Sequence, residues 1–77
     1  MTIVRIKMLQ DFLYNKGTRS LIEGDKYYAI DDAGYYWSIQ DGNGTPFTVV
    51  VPRVVKRVHS GSEHEFVNTA EIVLAWH

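Results

Sequence analysis

The amino-acid sequence predicts an all-β domain, a small barrel or sandwich of five to six short strands. Three observations carry this. Apolar residues recur mostly with period two, as where Val4, Ile6 and Met8 alternate with Arg5 and Lys7, the pattern of a half-buried strand. Turn-forming clusters, Asp31-Asp32-Ala33-Gly34 and Asp41-Gly42-Asn43-Gly44, separate the runs at short intervals. Aromatic and β-branched residues fill the runs between them, as strands prefer.

Taken in order, Val4 to Met8 forms the first strand, and Gln10 to Tyr14 either prolongs it or starts a loop. Residues 15–20 are polar and read as a loop. Gly24-Asp25 marks a change of direction before a second strand, Lys26 to Ile30, since glycine tolerates positive φ. The Asp31–Gly34 turn leads into a third strand, Tyr35 to Gln40, and Asp41–Gly44 reverses the chain tightly into a fourth, Phe47 to Val51. Pro52 ends that strand, and Val54 to Val58 makes a short fifth. In the tail from Glu63 to His77, Ile72, Leu74 and Trp76 alternate with Val73, Ala75 and His77, which favours a strand. Asn68-Thr69 ahead of Ala70-Glu71 offers the alternative of a capped short helix.

Seventy-seven residues make one small domain, which buries only about 60% of the surface of its unfolded chain. Small domains offset this with disulfides, a metal or oligomerisation. The absence of cysteine removes disulfides and thiolate metal sites and suits a cytoplasmic location. Stability then rests on the ten aromatic residues (two Trp, five Tyr, three Phe) or on self-association. The amino terminus does not read as a signal peptide, and no stretch approaches the ~18 apolar residues of a membrane span. A net charge of −1 supplies no global attraction for nucleic acid.

Three stretches together resemble small SH3-like barrel proteins of the kind encoded by bacteriophages and prophages. They are Leu21-Ile22-Glu23-Gly24-Asp25-Lys26-Tyr27-Tyr28, Gly34-Tyr35-Tyr36-Trp37-Ser38-Ile39, and Val51-Pro52 with Val55-Lys56-Arg57-Val58. The resemblance covers residues 1–58 as the barrel and leaves 59–77 as a carboxyl-terminal extension. It implies a small accessory protein that binds a bacterial host protein stoichiometrically and inhibits or modulates it. The acidic-aromatic first-loop motif of peptide-binding SH3 domains is missing.

The residues themselves give no catalytic signature, and neither an enzyme nor a cofactor is expected. His59-Ser60-Gly61-Ser62-Glu63-His64-Glu65 gathers imidazole and carboxylate groups that suit zinc. It lacks a ligand motif, however, and reads as a solvated loop, so no metal site is assigned. The aromatics are the distinctive feature. If Tyr28, Ile30, Trp37, Ile39 and the strand-end Tyr35 point inward, alternation sends Tyr27 and Tyr36 outward. Flanked by Asp31 and Asp41, those two would form an acidic-aromatic platform for a basic protein surface. Arg53, Lys56 and Arg57 form the alternative, a patch for nucleic acid. A virion or assembly role through self-association is the third reading. No membrane partner is expected.

Overall fold

The structure, a computed structural model, describes residues 2–76 apart from 16, 18, 59, 60, 62 and 63. The described residues form seven strands and no helix: β1 (Thr2–Met8), β2 (Lys26–Asp32), β3 (Tyr35–Gln40), β4 (Pro46–Pro52), β5 (Val54–Val58), β6 (His64–Asn68) and β7 (Ala70–Trp76). A five-stranded antiparallel sheet runs in the order β4-β3-β2-β1-β7, and β5 and β6 form a separate antiparallel hairpin. Residues 64–68 and 70–76 of the tail are therefore strand, and the second of these elements pairs with β1 inside the main sheet.

Two corners join the two sheets. β4 passes into β5 through Arg53, and β6 passes into β7 through Thr69. The Thr69 N–H donates to the Arg53 carbonyl at 2.9 Å, and the Thr69 hydroxyl donates to the Pro52 carbonyl at 2.5 Å. β4 and β7 are the two edges of the sheet, and four strand spacings would hold the edges of a flat sheet ~19 Å apart. A hydrogen bond between residues flanking those edges therefore requires the sheet to curl. β4 and β7 themselves do not pair, so the curl is not closed into a barrel with every edge satisfied.

The curl encloses one face of the sheet. Val4, Ile6, Met8, Tyr27, Ala29, Tyr36, Ser38, Val49, Val51 and Ala70 all point there and are buried. The long β1–β2 connection closes one end. Phe12 and Leu21 exchange backbone hydrogen bonds at 2.9 Å, Leu21 is fully buried, and Tyr14 meets Phe47 with ring centroids 5.9 Å apart. This connection passes so close to the β3–β4 turn that a Cβ on Gly42 would overlap the Ser20 carbonyl oxygen. Glycine is the residue that permits that approach.

The inward set expected from alternation is reversed. Tyr27 and Tyr36 are buried, whereas Tyr28, Tyr35, Trp37 and Ile39 are exposed and Ile30 is half-buried. The register explains this. Val4, Ala29, Ser38 and Val49 stand side by side across four strands of the inner face, while Ile3, Ile30, Trp37 and Val50 stand side by side across the outer. A tightly curled small sheet has little interior volume, and its central row is filled by an alanine and a serine between two valines. A row holding Trp37 and two isoleucines is too large for that space.

Candidate functional site

The four residues expected to form a binding platform hold the fold together. The Tyr27 hydroxyl accepts the Ile22 N–H at 3.1 Å and lies 3.5 Å from an Asp25 carboxylate oxygen. Burial pushes its pKa up, the Ile22 N–H opposes that, and the nearby Asp25 charge raises it further. Burial also pushes the Tyr36 hydroxyl up. Asp31 pairs directly with Arg53, whose guanidinium carbon lies 4.9 Å from the Tyr36 ring centroid. Asp41 is buried, and one carboxylate oxygen accepts the N–H groups of Asn43 and Thr45 at 2.9 and 3.0 Å, the local pattern that holds an Asx-type turn. The expected acidic-aromatic platform is thus dismantled: its tyrosines are core, and two of its acids are engaged inside the fold.

The basic set does not converge either. Arg53 is held by Asp31, the Tyr36 ring and the Asp32 carbonyl at 3.4 Å. Lys56 and Arg57 are neighbours on β5, so they leave opposite faces of the hairpin, Lys56 beside Phe66 and Arg57 beside Glu65. Of the histidine loop, His59 and Glu63 lie outside the described residues, as does His77, while His64 begins β6. No group of three metal-ligating side chains stands among the described residues. No helix of the described chain is long and apolar enough to cross a membrane.

The surface that does assemble is the outer face of the sheet. Ile3 sits opposite Ile30 on β2 and Trp76 on β7, and Ile30 opposite Trp37. Arg5 sits opposite Tyr28 and Leu74 in the next row. The Tyr28 and Trp76 rings meet across β1 with centroids 5.7 Å apart. Arg5 lies within this aromatic ground: its guanidinium carbon is 5.0 Å from the Tyr28 centroid, and one terminal nitrogen donates to the Tyr28 hydroxyl at 3.1 Å. Both tryptophans of the chain are here, with Trp37 40% and Trp76 42% exposed. With Ile3, Tyr28, Ile39 and Leu74, all exposed, they make an apolar surface across the outer face, and apolar surface gathered in one place marks contact sites. Lys7 and Lys26, paired in register, continue the surface at one end, and Asp32 stands at the other.

Sequence reasoning found β1 to β5 and the strand character of the tail, and missed β6 and this face. Period two sorts residues into two sets without saying which set is enclosed. A usable signal was Ala29 and Ser38: small residues directly opposite one another on adjacent strands mark the crowded side of a curled sheet. No family model, curated protein or solved structure matches this chain.

Proposed function

We propose that this protein is a non-catalytic binding module that engages a protein partner stoichiometrically through the outer aromatic surface and modulates what it binds. The observation that carries the reading is the aromatic ground of Tyr28, Trp37 and Trp76 with Arg5 set into it. Exposed aromatics beside an arginine have the composition of an interface hot spot. Arg5 is only partly exposed and stacks on a ring, so its charge lies close to apolar surface and favours a partner that brings a carboxylate among apolar side chains. This inverts the basic partner expected from the sequence, because Asp31 and Asp41 are withdrawn from the surface. Modulation of a bacterial host protein, suggested by the resemblance to phage SH3-like proteins, is the specific form of this proposal.

The test is capture by the tagged wild-type chain, by Arg5→Glu with Trp37→Ser, and by a chain with Lys56 and Arg57 reversed to glutamate, each with and without nuclease. The captured protein is then titrated against each chain while tryptophan fluorescence is followed. Loss of ~2 kcal/mol or more of binding in the outer-surface variant alone is expected for a central hot spot. Loss only in the β5 variant, together with nuclease sensitivity, would move the contact to nucleic acid.

A further inference from the structure

Charge on the outer face is sorted along the strands. Arg5 and Lys7 leave β1 on that face, and Lys26 on β2 stands directly opposite Lys7. Like charges directly opposed destabilise an antiparallel pair. None of these three cations forms an ion pair among the described residues. Glu71 flanks Lys7 in register from β7 without forming one. Arg5 donates to a neutral acceptor, the Tyr28 hydroxyl, and its Nε is shut off from solvent with no acceptor among the described residues. Lys26 and Ile30 lie four residues apart on β2, ~13 Å along the strand, and Ile30 stands beside Trp37. Asp32 follows at the end of β2. The face is thus basic at one end, aromatic in the middle and acidic at the other, in a chain whose net charge is −1.

We infer that the partner presents an acidic segment, with its carboxylates on Lys7, Lys26 and Arg5 and its adjoining apolar side chains running toward Trp37. The inference rests on the reading of the outer face as a protein contact and adds the partner's charge and direction. Charge complementarity selects this occupant. Carboxylates relieve the opposition of Lys7 and Lys26 and give Arg5 the charged acceptor it lacks. A nucleic-acid strand fits the face less well. It carries charge at every nucleotide, so a strand long enough to stack on Trp37 as well brings phosphate toward Asp32. A peptide segment with its charge gathered at one end does not.

The probe is a randomised library of short peptides, panned against the wild type, Lys26→Glu and Trp37→Ser, with oligothymidylate as the nucleic-acid probe. Peptides selected by the wild type are expected to carry Asp or Glu at one end and aromatic or aliphatic residues beyond it. Lys26 is exposed, and Lys26→Glu sets opposite charges face to face, so this chain should melt above the wild type. It should nevertheless bind the selected peptides about tenfold more weakly, the scale of a reversed exposed charge contact. Added salt should weaken binding to the wild type. A merely structural lysine would move stability and binding in the same direction. Selected peptides without acidic enrichment, undiminished binding to Lys26→Glu, weaker binding accompanied by lower stability, or tighter binding of oligothymidylate than of any peptide each overturns the inference, as does a library that yields no binder. Trp37→Ser judges the reading beneath it. Selection that depends on Trp37 and not on charge removes the acidic partner and leaves the outer face as the contact, whereas peptides bound equally by Trp37→Ser remove both.

Discussion

Tyr36 and Trp37 are adjacent on β3 and have opposite surroundings. Tyr36 lies inside the curl, 5% exposed, with the Arg53 guanidinium against its ring, while Trp37 stands on the outer face between Ile30 and Val50. The larger and more hydrophobic side chain is the one outside. Volume decides this over hydrophobicity: the enclosed face of a five-stranded sheet bent back on itself admits Ala29 and Ser38 at its centre, and bulk is accommodated only where the curl leaves room. The outer face has no such limit, so it can carry the large apolar groups a contact surface needs.

The largest effect expected from breaking this contrast is at Tyr36. Tyr36→Ala should destabilise by about 3–5 kcal/mol, as for other buried aromatics cut to alanine, and should unfold much of the population of so small a domain. Trp37→Ala should cost about 1–2 kcal/mol because part of its surface is already wet. Urea denaturation of the two variants compares them directly, and equal losses would show that the two faces are equally packed.

Gly42→Ala comes next. The added Cβ meets backbone rather than a flexible side chain, so either the β1–β2 connection or the β3–β4 turn must shift, at ~1–3 kcal/mol. A thermal melt unchanged from wild type would mean that the two loops are not in contact.

The smallest effect is a pH dependence. The Tyr27 and Tyr36 pKa values are raised in the folded state, so folding favours their neutral form. The stability they contribute is fully present below the unfolded tyrosine pKa of about 10 and is lost as pH rises through the folded values. Tyr36→Phe, which keeps the ring and removes the titrating group, should flatten part of the decline above pH ~10 in an equilibrium denaturation series. An unchanged slope would contradict burial of the hydroxyl.

Much of this architecture is legible in the sequence. The positions of β2, β3 and β4, their turns and Pro52 follow from alternation and turn chemistry, because both are local. The strand character of residues 70–76 follows from Ile72, Leu74 and Trp76. What is not legible is non-local. Which set of alternating residues is enclosed depends on how far the sheet curls, and that is set by the Arg53–Thr69 contact between residues 16 apart. The withdrawal of Asp31 depends on Arg53 arriving from the far end of β4, and that of Asp41 on turn geometry rather than charge. Tyr27, Asp31 and Tyr36 were therefore drawn from the right strands and the wrong face.

Fluorescence tests the central claim, an aromatic outer face over a small-residue interior, most directly, because Trp37 and Trp76 both lie on that face and the chain has no other tryptophan. Acrylamide quenching is measured on the folded wild type at a concentration low enough to keep it monomeric, with the unfolded chain as reference. The account predicts red-shifted emission and quenching at a substantial fraction of the unfolded rate, with Trp37→Phe and Trp76→Phe each removing part of the accessible signal. Blue-shifted emission and strong shielding of both tryptophans, in a chain shown to be monomeric, would contradict it and place the aromatics inside.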